Sequence, residues 1–313
     1  LFYNGNGGNI SYNKIHSNNS GITSNLYGLY TYYIDTAIIA NNEIRLNSSA
    51  SSTYGLYIDY PRAVSYLHNS ILVTGTSSNS RAVYWYTYNS SNYDATMMNN
   101  MFVTNGGSTP YAIYLAGSYS SSYASNYRIN YNNYYSSANL AYVGSAKATL
   151  SDWQAVVISD THSINVFPPF IDINSNLEMF DYSAFIVPRL TEVPNDINDI
   201  GRSKLTMMGA YSVPLFEGYD LKMESILSQE EVNDIHCYSD FTNIQVVLKN
   251  IGTEHYYFNT DAIKLTVEVS GAIQFKKDTL INIGLLKAAI KDTFEITNVL
   301  PVTTPGIYDI ITY

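Results

Sequence analysis

Two short motifs recur through the first 150 residues at one shared interval, and only a fold built from a repeating unit accommodates both. Asn-x-Ile/Phe/Tyr returns as Asn13-Lys14-Ile15, Asn42-Glu43-Ile44, Asn69-Ser70-Ile71, Asn100-Met101-Phe102 and Asn133-Tyr134-Tyr135, at steps of 29, 27, 31 and 33 residues. The second motif returns as Tyr27-Gly28-Leu29-Tyr30, Tyr54-Gly55-Leu56-Tyr57, Arg81-Ala82-Val83-Tyr84, Tyr111-Ala112-Ile113-Tyr114 and Asn139-Leu140-Ala141-Tyr142, at steps of 27, 27, 30 and 28. Independent markers that keep one period indicate a solenoid. The runs alternate with period two, are rich in Tyr, Ile and Val, and are separated by Ser/Asn/Gly clusters, so each repeat is a coil of short strands rather than a helix pair.

A right-handed parallel β-helix meets these requirements, because each coil lays its strands about 4.8 Å from those of the coil before and buries its inward side chains in one column. The inward set of the second motif is then Leu29, Leu56 with Ile58, Val83 with Trp85, Ile113 with Leu115, and Ala141 with Val143. The outward set is Tyr30, Tyr57, Tyr84, Tyr114 and Tyr142, with Tyr32 and Tyr86 adding a partial row two residues on. The repeating Asn13, Asn42, Asn69, Asn100 and Asn133 suit a ladder at a turn, where each amide satisfies the next.

Composition narrows the function classes. Of 313 residues 14% are aromatic and 13% charged, the opposite of a disordered chain, and the length suggests two domains. A net charge of -10 supplies no basic field for a polyanion, so nucleic acid is not an expected partner. No run reaches the ~18 apolar residues of a membrane helix. The single cysteine, Cys237, excludes an internal disulfide framework and any Cys-rich metal centre. The chain opens on Leu1 and is read as a mature or excised part of a longer protein. Charge is unevenly divided: residues 1–150 carry six basic and four acidic groups, the remainder ten and twenty-two.

Residues 150–212 are expected to cover one end of the solenoid, where open strand edges would otherwise template aggregation. The pieces Leu150-Ser151-Asp152-Trp153-Gln154, Asp160-Thr161-His162-Ser163-Ile164, Pro168-Pro169-Phe170-Ile171-Asp172, Asp196-Ile197-Asn198-Asp199-Ile200-Gly201-Arg202 and Gly209-Ala210-Tyr211 follow one another in this order. This resembles the closing pattern of bacterial secreted parallel β-helix proteins over residues 1–212. The late segment in that family reads Asp-Ile-Asp-Gly-x-x-Arg, from which this chain departs by an inserted pair. The resemblance implies the fold and an extracellular or cell-surface location. It does not select a function, since the scaffold carries lyases, hydrolases and non-catalytic surface proteins alike.

After Pro214 the pattern changes to six alternating runs, 219–226, 244–249, 262–269, 274–281, 293–299 and 307–313, with turn signals at Asn250-Ile251-Gly252 and Pro305-Gly306. Such spacing predicts an antiparallel sandwich over 213–313. Asp220-Leu221-Lys222, the run from Val246 to Gly252 and Gly306-Ile307-Tyr308 resemble immunoglobulin-like, CARDB-like adhesion modules of large Bacteroidota surface proteins. With six runs counted where that fold has seven, the last strand is expected beyond Tyr313.

Chemistry-bearing residues are sparse on the coils. Asp35, Asp59 and Arg62 form the one acid–base patch that the register suggests, and an outward salt bridge between coils explains them equally well. Asp160, His162 and Asp172 unite a histidine with carboxylates, but the closing pattern implies a hydrogen-bonding role in the cap. Asp172-Ile173-Asn174-Ser175-Asn176 begins like a calcium loop, yet Leu177 replaces its glycine and Ser183 its distal glutamate. Asp196-Ile197-Asn198-Asp199-Ile200-Gly201 has Ile200 where a ligand belongs. No cofactor is therefore expected. Sugar rings pack C–H faces on aromatic planes and bond to phenol hydroxyls, so Tyr30, Tyr57, Tyr84, Tyr86, Tyr114 and Tyr142 are the expected ligand-binding residues. The expectation is a non-catalytic adhesin or glycan-binding segment. A polysaccharide lyase or glycoside hydrolase, or a plain spacer, are the alternatives.

Overall fold

Every coil contributes one strand to each of three parallel sheets, and the stack makes about four complete turns of a parallel β-helix. The first sheet holds Phe2–Tyr3, Leu26–Tyr32, Ser52–Asp59, Asn79–Thr87, Tyr111–Gly117 and Ala141–Val143, and ends on the antiparallel strand Ser145–Lys147. The second holds Asn9–Ser11, Ile38–Ala40, Val64–Leu67, Ala95–Met98 and Tyr127–Asn130. The third holds Lys14–Asn19, Glu43–Ser48, Ser70–Gly75, Met101–Gly106 and Asn133–Ser136. This computed structural model describes residues 1–3, 5–19, 21–87, 93–117, 119, 126–213, 215, 218, 220–227, 243–271, 274–297 and 308–313. Cys237, Tyr219 and the Pro305-Gly306 turn lie outside them.

The corner between second and third sheets is built the same way in every coil. Tyr12, Asn41, His68, Asn99 and Tyr131 each adopt a left-handed backbone, with φ between 51° and 63°. A non-glycine residue there costs about 1–2 kcal/mol, which the following asparagine offsets. Asn69 illustrates the bond set: its Oδ1 accepts from the backbone N of Asn42 at 3.1 Å and from Asn42 Nδ2 at 2.9 Å. Its own Nδ2 donates to Ile39 O at 2.8 Å and to Asn100 Oδ1 at 3.0 Å. The ladder runs Asn13, Asn42, Asn69, Asn100 and then Asn132. Its last rung is thus Asn132, not the expected Asn133. The register pairs Phe102 with Tyr134, and this places Asn132 opposite Asn100. Asn133 faces the next segment, where it bonds to Val166.

All inward residues expected in the first sheet are buried in one core that also takes in Tyr66, Phe102, Tyr127 and Tyr134. The strands bend at Gly28, Gly55, Ala82 and Ala112, where two consecutive residues point inward. A Cβ at Gly55 would come within 2.3 Å of Ile71 Cγ2 and 2.7 Å of Ala82 O, so the bend requires a minimal side chain.

The cap expected over 150–212 divides into two parts. A short helix, Leu150–Gln154, closed by a capping box between Thr149 and Asp152, lowers Trp153 and Val157 onto the end of the core. Residues beyond about 164 instead return along the outer face of the third sheet and the asparagine corner. There Leu177, Met179, Phe185, Val187 and Met207 pack on Leu72, Met101 and Val103. Arg202, 2% exposed, donates to Asn41 Oδ1 at 2.8 Å and to the carbonyls of Gly209 and Ala210 at 3.0 and 3.2 Å. Buried Glu43 accepts from the backbone N of Leu177 at 3.0 Å and from the hydroxyl of Tyr211. This strap buries a sheet face that a free-standing coil would leave wet.

Contacts divide the chain into Leu1–Pro214 and Leu215–Tyr313. The second unit is all-β. One antiparallel sheet orders Leu221–Leu227, Ile244–Asn250 and Lys291–Ile296, the other Phe275–Ile281, Ile263–Gly271 and Tyr308–Thr312. A small ladder joins Tyr256–Tyr257 to Leu285–Leu286. Val246, Leu248 and Ile296 from one sheet and Leu265, Val267 and Val269 from the other form a single core. Among the described residues no helix is long and apolar enough to cross a membrane.

Candidate functional site

Strand alternation turns Tyr30, Tyr57, Tyr84, Tyr114 and Tyr142 outward, and the pairing register sets them opposite one another from coil to coil. Four of the rings form a stack. Tyr57 and Tyr84 lie 4.6 Å apart and 16° from parallel, Tyr84 and Tyr114 5.4 Å and 8°, and Tyr114 and Tyr142 4.2 Å and 3°. Tyr30 breaks the series, tilted 58° against Tyr57. Coil spacing is the cause: side chains about 4.8 Å apart on a flat sheet fill the gap best when rings lie face to face. The two faces of each interior ring are therefore covered by its neighbours, and edges and hydroxyls are what the wall presents. The expected stacking of sugar C–H faces finds no uncovered ring plane on Tyr84 or Tyr114.

A second column, absent from the outward set expected, flanks the first. Because the strand bends at Gly28 and its equivalents, residues three apart both point outward, and Tyr27, Tyr54, Arg81 and Tyr111 line up beside the stack. Tyr27 and Tyr54 stack at 5.2 Å. The Arg81 guanidinium lies 4.7 Å from the Tyr111 ring and 4.8 Å from Tyr114, in cation–π range. The signal for this column was the glycine or alanine after each of these residues, since a small residue followed by an apolar one is incompatible with simple alternation.

Tyr32 and Tyr86 occupy a third register position, but Asp59 stands between them. Burial first, and then the Asp59 carboxylate, pushes the Tyr30 hydroxyl above its ordinary value. Burial also raises Tyr57, Tyr84 and Tyr114. All four phenols are thus protonated donors across the physiological range. Of the acid–base patch, Asp35 and Arg62 meet at 3.2 Å across a bridge between coils, both partly exposed. Asp59 ends the strand Ser52–Asp59 three residues before Arg62, in register with Tyr32 and Tyr86.

The cap residues are separated. Asp160 is fully buried, accepting from Trp153 Nε1 at 2.7 Å and from the Ser163 hydroxyl, while Ser163 Oγ accepts from the backbone N of Asn132 at 2.8 Å. Asp160 therefore anchors the end of the asparagine ladder, and burial raises its carboxyl to about 6. His162 is exposed, stacks 4.6 Å from Tyr131 and bonds to Asn130. Asp172 holds its own loop by accepting from Ser175 and from the backbone N of Asn174. Among the described residues no three His, Cys, Asp or Glu side chains gather as a metal-ligand set. Compared with known proteins, the chain matches no family model, no curated protein and no solved structure.

Proposed function

We propose that this chain is a non-catalytic adhesin segment, secreted or held at a cell surface, that binds an extended glycan along the tyrosine wall through phenol hydroxyls. The observation that carries the reading is the run of Tyr57, Tyr84, Tyr114 and Tyr142, stacked ring on ring with their edges outward. A ladder of this kind offers one phenol hydroxyl per coil, on rings 4.2 to 5.4 Å apart, and a rigid array loses little entropy when a repeating ligand binds. The two antiparallel sheets after Leu215 are compatible with an immunoglobulin-like adhesion module, the second part of the same reading. The lyase or hydrolase alternative would draw on Asp35, Asp59 and Arg62. The half-exposed Arg62–Asp35 pair is more simply an inter-coil bridge.

A glycan array with the whole chain, followed by calorimetry on any hit, tests the proposal. Tyr84→Phe keeps the stack and removes one hydroxyl, which also bonds to Tyr57, so it should weaken binding about five- to tenfold and lower stability by no more than about 1 kcal/mol. Undiminished affinity in that variant would take the hydroxyls out of the site. No glycan bound at all would leave a spacer or a protein-binding surface.

A further inference from the structure

On the third sheet the strap covers the early part of the strands that begin at Glu43, Ser70 and Met101 and leaves their ends bare. Asn18, Asn47 and Thr74 stand in register there, the two asparagines exposed beyond the strap. Between this column and Ile173-Asn174 of the strap lies a cavity of about 150 Å³, whose lining includes His16, Arg45, Leu72 and Thr74. A second, of about 220 Å³, adjoins it toward the Gly75-Thr76 turn. Asn18 and Asn47 line both. Gly75 forms part of the second cavity's wall with φ of 102°, a backbone that L side chains rarely adopt.

Polar groups here are held in place yet incompletely used. Asn47 Nδ2 donates to Asn18 Oδ1 at 3.0 Å, which leaves Asn18 Nδ2 and Asn47 Oδ1, among the described residues, as a donor and an acceptor at the shared wall. Arg45 is fixed by Glu43 at 2.7 Å through Nε and by Ile173 O at 3.0 Å through Nη1, leaving Nη2 as a positioned donor. Ile173, 43% exposed, supplies an apolar surface. Directed donors and acceptors around an apolar patch, in cavities of about the 150 Å³ that takes one benzene-sized ring, match a sugar ring more closely than a flat apolar ligand. Charge argues against an acidic sugar. Glu43 already neutralises Arg45, and the Asp172 carboxylate lies on the same loop as Ile173.

We infer that the two adjoining cavities form a binding groove for a neutral oligosaccharide, with one ring on either side of the Asn18–Asn47 amide pair. The groove lies on a different sheet from the tyrosine wall and does not depend on it.

Calorimetric titration of the whole chain with neutral tetrasaccharides of glucose, galactose and mannose tests this, with a glucuronate-containing tetrasaccharide as comparator. At least one neutral probe should bind. Asn47→Leu, which removes the shared acceptor, and Thr74→Val, which removes a hydroxyl at constant shape, should each weaken that binding about tenfold, while Tyr84→Phe leaves it unchanged. The inference fails if no neutral probe binds, if neither groove variant lowers the affinity, if Tyr84→Phe alone does so, or if the acidic comparator binds tightest. Loss in the groove variants with intact glycan-array binding through the wall would separate this site from the one proposed above.

Discussion

Replacing Asn69 by Leu removes four hydrogen bonds from the middle of the ladder at nearly constant volume. The backbone N–H of Asn42 loses the acceptor it uses, while Asn42 Nδ2 keeps Ile10 O at 2.8 Å and Asn100 Oδ1 keeps the backbone N of Asn69 at 2.9 Å. One orphaned buried donor costs about 1–3 kcal/mol, and the remaining losses about 0.5–1.5 kcal/mol each, partly recovered by burying leucine. The net expectation is about 3 kcal/mol. Asn13→Leu is the control. That rung is exposed, so water replaces what its amide gave to Asn42, and the change should stay within about 0.5 kcal/mol. Urea unfolding followed by tryptophan fluorescence reads the solenoid alone, because both tryptophans, Trp85 and Trp153, are fully buried in its core. Signals from the second unit therefore do not complicate the transition. A midpoint lowered by about 1 M for Asn69→Leu and barely moved for Asn13→Leu is the expected result. Equal midpoints for the two variants would refute the reasoning that buried amide bonding holds the coils in register.

Gly55→Val should destabilise the same transition by about 1–3 kcal/mol, since its side chain would enter the space of Ile71 and Ala82 O; a wild-type midpoint would mean that the bend tolerates bulk. Asp160 makes the solenoid pH-sensitive in an unusual direction. Its carboxyl is raised from 3.8 to about 6 in the folded chain, so the folded state binds the proton more tightly, and this group's contribution is present below about pH 4 and lost as pH rises to about 6. The difference is worth about 3 kcal/mol. Buried His68, lowered by burial and then by Arg202, acts oppositely and is lost as pH falls below its ordinary 6.5. Comparison with Asp160→Asn isolates the first effect: wild type should lose stability relative to the variant as pH rises through that window, and parallel curves would remove Asp160 from the account.

How far the sequence could be read follows from the difference between a repeat and its packing. A period marks residues that meet the same environment in every coil, so the asparagine corner, the inward aliphatics and the outward tyrosines were all legible as spacings. Where neighbours are chemically alike the spacing is silent. Asn132 and Asn133 both satisfy the motif, and only the seating of Tyr134 opposite Phe102 chooses between them. Simple alternation likewise hid Tyr27, Tyr54, Arg81 and Tyr111, because a bend at a small residue changes which side chains share a face.

Sequence alone thus determined that the first 150 residues wind into parallel coils, since a register fixed by ladders and buried columns is a local property repeated. Tertiary structure decided which surfaces those coils present. Ring planes were set by coil-to-coil spacing, which turned the tyrosine faces toward one another. One wall of the first cavity at Asn18 and Asn47 is supplied by Ile173 and Asn174, from a strap more than a hundred residues later that lies against a sheet whose own sequence gives no sign of it. Contacts so distant in the chain leave no period, and a reading by spacing has nothing to detect.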